Sequence, residues 1–165
     1  MFALIAFAAL AQGAPVTHAP GYAVALPTVP GKANPNVNQS NIRSTICVHG
    51  WTATVRPPTS YTNKIKFALM DAQHIPRSDV RQFELDHEMS IEDGGDPASP
   101  LNLWLQPYRG KYCTKWCSQD KDVLETFEKR GVCKGTIPLA TAQHELQTDW
   151  VASWLARIGN SKAGK

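Results

Sequence analysis

Near the middle of the chain, Phe83-Glu84-Leu85-Asp86-His87 and Asn102-Leu103-Trp104-Leu105 form two short apolar-rich runs. Residues 88–101 lie between them and include Glu92-Asp93-Gly94-Gly95-Asp96-Pro97. The runs predict strands over 82–87 and 102–105. The bridge predicts a reversal, because glycine, aspartate and proline tolerate or preset the backbone angles a turn needs. If the strands pair, Asn102 returns near His87. A helix is expected next, over 118–130. Ser118 suits its N-cap, and Asp120 and Asp122 sit in the first turn, where the helix dipole favours acids. Leu124, Phe127 and Val123 face the core, Lys129 and Arg130 suit the carboxyl end, and Gly131 suits the stop.

The remaining chain falls into segments. Residues 14–40, rich in Pro, Gly, Ala, Asn and Val, hold no lasting apolar period and are expected to form a flexible linker. Residues 42–55 carry Ile46, Val48, Thr52, Thr54 and Val55, which favour extended structure. Pro57-Pro58 bars a helix there. Ser60 then suits an N-cap for a helix over 61–73, with Tyr61, Ile65, Ala68 and Leu69 as its buried stripe. Pro76 excludes a continuation. A last helix is expected over 139–158, with Leu139, Ala142, Leu146, Trp150, Trp154 and Ile158 along its core side. Residues 159–165 are expected to be a disordered tail.

With 165 residues and five tryptophans, the chain can bury a sizeable core, which argues against a disordered protein. A formal net charge of +3 permits a polyanionic partner without arguing for one. The apolar run at residues 1–11 is too short to span a bilayer. Small residues follow it, so residues 1–13 are expected to be an export signal, cut between Ala11 and Ala14. No Lys or Arg precedes the run, and a membrane-lying anchor is the alternative. The expected domain spans 41–158, in a secreted or periplasmic protein with no stable membrane span.

Cys47, Cys113, Cys117 and Cys133 make an even count in a chain with an export signal, which favours disulfides. Four cysteines allow three pairings. A four-cysteine zinc site is the rival reading, but such ligands usually come as two close pairs.

Asp86-His87, the acidic Gly-Gly turn, Asn102-Leu103 and a following helix resemble the HNH nucleases, whose fold is a ββα-metal finger. The chain is more similar still to a group of small exported bacterial HNH-like proteins. That pattern adds the segment from Cys47 to Pro58 (Cys-x-x-Gly-aromatic-Thr-x-Thr-Val-Arg-Pro-Pro), the Ser60-Tyr61-Thr62-Asn63 helix start, and Lys121-Asp122-x-Leu124-Glu125. The resemblance covers residues 47–150. It implies an α+β domain with a ββα core, braced by an early helix and a long carboxyl-terminal helix. The group also carries equivalents of Cys47 and Cys133. This implies that those two pair, leaving Cys113 with Cys117.

The implied activity is metal-dependent phosphodiester hydrolysis on a DNA or RNA backbone. A histidine can deprotonate water near neutral pH, so His87 is the expected base. By the resemblance Asn102 orients its imidazole, and Asp86 binds a divalent metal. Oxygen ligands suit Mg²⁺ or Mn²⁺, with Zn²⁺ and Ni²⁺ as alternatives. The family's second histidine, on the helix, is missing: no histidine lies between His87 and His144. Asp122 and Glu125, three apart on the helix, are the candidate substitutes. Alternatively, Lys121 takes the phosphate side and no metal binds. Arg109, Lys111, Lys115 and Lys121 are candidate phosphate contacts. Trp104 and Tyr108 are candidate stacking residues, with Trp104 better read as core. Glu92 and Asp93 give no fixed spacing for glycoside chemistry. The rival function is a non-catalytic binding or structural module on a degenerate HNH scaffold. The sequence identifies no protein partner.

Overall fold

A two-stranded antiparallel sheet lies at the centre, with β1 (Phe83–His87) paired to β2 (Leu103–Pro107). Asp86 stands opposite Trp104, and His87 opposite Leu103. Both strands follow the expected runs; β2 starts one residue later and extends to Pro107. An isolated hairpin is marginal in water, so helices must cover both faces. Alternation along the strands decides what each helix meets. Phe83 and Leu105 pack with Met70, Phe67 and Leu69 of α2 (Thr59–Ala72). Asp86, on the other face, reaches α3 (Ser118–Lys134). The fold is α+β, and a computed structural model describes residues 29–159.

The third layer is α4 (Leu139–Trp154), which continues into a wider turn at Leu155–Gly159. Leu146, Trp150 and Ile158 pack there with Leu124 and Trp116. The core stripe expected for this helix is present, although Asp149 leaves helical geometry within it. On α3, Leu124 is fully buried, but Val123 and Phe127 are exposed, contrary to expectation. Gly131 does not stop α3. It lies inside the helix, where Ile137 packs so closely that an added Cβ would meet its Cδ1 at 2.4 Å. The stop is Gly135, whose φ of 79° is the left-handed conformation that glycine adopts without penalty. Ser118 is the first helical residue, and Cys117 holds the cap position, its N–H donating to Asp120 Oδ2 at 2.9 Å.

Three further expectations are corrected. Residues 42–55 are not extended: they form a short 3₁₀ turn at Ile42–Ser44 and α1 (Trp51–Val55). With no strand alongside to pair with, their β preference is overridden by packing. Ile42 and Ile46 bury against Val132, Ile137 and Leu139. Helix α2 starts at Thr59 behind Pro58, so Ser60 is inside it, and Tyr61 and Ala68 are exposed. The linker expected to reach Ser40 ends earlier. Ala33 pairs with Gly95, Asn34 N–H donates to Gly94 O at 2.8 Å, and Val37 is buried. The export signal, the first half of the linker and residues 160–165 lie outside the described residues.

Disulfides join Cys47 to Cys133 and Cys113 to Cys117, as expected. The first ties the segment before α1 to the last turn of α3. Among the described residues, no helix is long and apolar enough to cross a membrane.

Candidate active site

Residues 88–102 form a loop pinned at its neck by Asn102. This side chain is fully buried. Its Oδ1 accepts from Met89 N–H at 2.9 Å and Lys32 N–H at 3.3 Å. Its Nδ2 donates to Met89 O at 3.0 Å and Asp96 O at 2.9 Å. Gly95 is required beside it, because a Cβ there would lie 1.9 Å from Met89 O. Asp96 Oδ1 shapes the next turn by accepting from Ala98 and Ser99 N–H. The loop thereby carries Pro97 back over the end of β1.

His87 Nε2 lies 3.0 Å from Pro97 O. A carbonyl only accepts, so Nε2 carries the proton and Nδ1 keeps the lone pair in neutral imidazole. The expected role of Asn102 changes accordingly: it fixes the loop, and Pro97, not Asn102, holds the imidazole. His87 is nearly buried. Burial lowers its pKa, and Arg56 and Lys121 add to this, against the Pro97 bond and Asp86. The ring is therefore neutral at neutral pH.

His87 lines a cleft of about 300 Å³ between β1 and α2. Arg56 and Lys66 supply two cations to it, and Thr62 and Asn63 supply neutral polar groups. Glu84 and Tyr108 complete the wall. Tyr108 donates its hydroxyl to Glu84 Oε2 at 3.2 Å. Burial, with help from Asp86 and Asp122, raises Glu84 to about 7. Lys66 donates to Phe83 O at 2.6 Å, which fixes its stem across β1 and leaves two N–H groups for other acceptors. Burial lowers its pKa, opposed by Glu84. Arg56 and Lys66 were not singled out from the sequence as site residues. A signal existed, since Thr59, Thr62, Asn63 and Lys66 recur at helical spacing as a polar stripe on α2. Arg56 itself falls in the Thr-Val-Arg-Pro-Pro segment.

The residues expected to hold a metal are arranged differently. Lys121 has no solvent exposure. Its ammonium donates to Asp86 Oδ2 at 2.9 Å, to His87 O at 2.7 Å and to Glu125 Oε1, which uses all three N–H groups. Burial alone would lower its pKa, but Asp86, Glu125 and Glu88 more than reverse this and hold it charged. A divalent ion does not fit between Asp86 and Glu125 in this arrangement, because a positive charge already occupies that space and would repel it at contact distance. Asp122 is exposed on α3 and takes no part in this cluster of bonds. Partial desolvation of its carboxyl and the Asp86 charge raise its pKa.

The surface basic cluster also resolves into pairs. Lys121 is inaccessible to substrate. Arg109 grips Asp120 through both carboxylate oxygens and donates to Thr114 O. Lys111 pairs with Asp79 at 2.8 Å. Trp104 is core, with 1 % exposure. Glu92 pairs with Lys129, and Asp93 is fully buried. A larger groove of about 760 Å³, bordered by Val123, Phe127, Arg130 and Ile158, lies along α3; none of His87, Asp86, Asn102 or Glu125 lines it.

No family model, curated protein or solved structure matches this chain.

Proposed function

We propose that this chain cleaves phosphodiester bonds in nucleic acid, with His87 as general base, on a scaffold related to the HNH nucleases. The observation that carries the reading is the neutral His87 ring, held by Pro97 O in a cleft that also presents Arg56 and Lys66. A base with its acceptor nitrogen fixed removes a proton from the attacking oxygen. The two cations stabilise charge that develops on the phosphoryl oxygens. The kinship with HNH nucleases is supported by the order β1, β2, α3 and by Asp86 facing Glu125 across that interface. The disulfides suit an oxidising compartment, so the activity belongs outside the cytosol. Amino-terminal sequencing of the mature protein checks this, with a start at residues 12–14 expected.

The deciding experiment is incubation of the purified, disulfide-bonded chain with plasmid DNA and with RNA, with Mg²⁺ or Mn²⁺ and with chelator. Cleavage is expected, and His87→Ala should slow it by about 100-fold to 10,000-fold. Cleavage that survives His87→Ala undiminished removes the assignment of the base. Binding of nucleic acid through this face, with no cleavage under any condition, replaces the reading with the non-catalytic binding module.

A further inference from the structure

Resting on the phosphodiesterase reading, we infer that the His87 cleft acts on RNA and uses the ribose 2′-hydroxyl as its nucleophile, with no divalent ion in the reaction. Two independent features of the structure lead there.

The first is the ammonium held between Asp86 and Glu125. Asp86 and Glu125 both bond to the buried ammonium of Lys121, which is anchored a third time by His87 O. These contacts lie on the α3 side of β1, whereas the His87 ring lines the cleft on the α2 side. The acids of the motif therefore neutralise a structural cation instead of holding a divalent ion beside the scissile phosphate. On DNA, His87 would have to activate a free water molecule with no metal ion to place it. RNA carries its own nucleophile beside the phosphorus, already at the effective concentration that intramolecular attack confers.

The second is the content of the cleft. It offers two proton-accepting groups, the His87 ring fixed by Pro97 O and the Glu84 carboxyl, of which only His87 is held by the loop, and two cations, Arg56 and Lys66. Thr62 and Asn63 add hydroxyl and amide groups able to bond a ribose hydroxyl. The step balances with these parts. His87 Nδ1 takes the 2′-hydroxyl proton as the O2′–P bond forms. The P–O5′ bond breaks, and the departing oxygen takes a proton from water. The resulting hydroxide recovers the proton from the imidazolium. Arg56 and Lys66 offset the second negative charge on phosphorus during the transfer. The products are a 2′,3′-cyclic phosphate and a 5′-hydroxyl end.

The test uses the full disulfide-bonded chain and two end-labelled oligonucleotides of one mixed sequence, one all-ribose and one all-deoxyribose. Each is incubated in Mg²⁺ and in chelator, and the product ends are identified by mass spectrometry. The expected result is cleavage of the ribose strand alone, at rates within about twofold in the two conditions, with cyclic phosphate ends; His87→Ala lowers the rate at least about 100-fold. Arg56→Ala and Lys66→Ala slow cleavage while circular dichroism stays unchanged. Cleavage of both strands, 5′-phosphate ends, or loss of activity in chelator overturns the inference and leaves the phosphodiesterase reading standing. Failure to cleave either strand in either condition overturns both.

Discussion

Lys121 Nζ lies 2.9 Å from Asp86 Oδ2, with the lysine side chain wholly removed from solvent. Helix α3 and strand β1 are thus joined by an ion pair where the motif led one to expect a metal. Removing one member of a buried pair leaves an uncompensated charge. Lys121→Met should cost about 3–5 kcal/mol near neutral pH, read by urea unfolding. Adding Asp86→Asn and Glu125→Gln to that variant should recover most of the loss, because no buried charge is then left unpaired. A neutral effect of Lys121→Met alone would remove the structural role assigned to the ammonium.

Asn102 and Gly95 set the loop that carries Pro97 to His87. Asn102→Ala leaves the Met89 amide and carbonyl and the Asp96 carbonyl without partners, each buried orphan costing about 1–3 kcal/mol. Gly95→Ala drives a Cβ into Met89 O. Both variants should lower the melting temperature and raise hydrogen exchange at the Met89 amide. An Asn102→Ala protein with native stability and exchange would overturn this account of the loop.

The two disulfides should contribute unequally. In the chain-entropy model the Cys47–Cys133 link, 86 residues apart, is worth about 4–5 kcal/mol, and the Cys113–Cys117 link, 4 apart, about 2 kcal/mol. Paired Cys→Ser variants, compared by denaturant unfolding, should show this order. A larger loss at the Cys113 and Cys117 pair would contradict it.

Glu128 makes the fold sensitive to alkali. Its carboxyl is buried beside Glu145, which Arg157 holds below its usual range. Burial, Asp93 and Glu145 raise Glu128 to about 10, against an ordinary 4.5. The folded protein then binds this proton more tightly than the unfolded chain does. Its contribution is complete below about pH 4.5 and declines as pH rises towards 10, by up to about 1.4 kcal/mol per pH unit. Glu128→Gln should therefore be more stable than the parent at pH 8–9 and gain nothing at pH 4. An advantage independent of pH would show that the proton is not the cause.

The strands were legible because alternation and turn chemistry are local properties: Phe83 to His87 and Gly94 to Pro97 set their backbone geometry through their own side chains. The helix beginning at Ser118 was legible for the same reason. Its end was not, since Gly131 and Gly135 offer the same conformational freedom. Only the packing of Ile137 against Gly131 decides which one remains helical. Residues 42–55 went the other way, because β-branched side chains prefer extended structure only where a neighbouring strand exists, and here Ile42 and Ile46 found a helical interface instead.

The site divides along the same line. His87, Asp86 and Asn102 stood out by their order in the sequence, and so did the lysine and acids of α3. Their partners did not. Whether Glu125 meets a metal or an ammonium depends on where the Lys121 side chain goes, and burial forces that charge onto the nearest carboxylates. Whether His87 answers to Asn102 or to Pro97 depends on the path of a loop set by Gly95 and Asp96. Arg56 and Lys66 join His87 only because α2 lies across β1, a contact made by Met70, Phe83 and Leu105. Periodicity and turn residues act within one turn or one strand, so the sequence carries them openly. Charge neutralisation and the meeting of distant side chains are settled by which surfaces the core brings into contact.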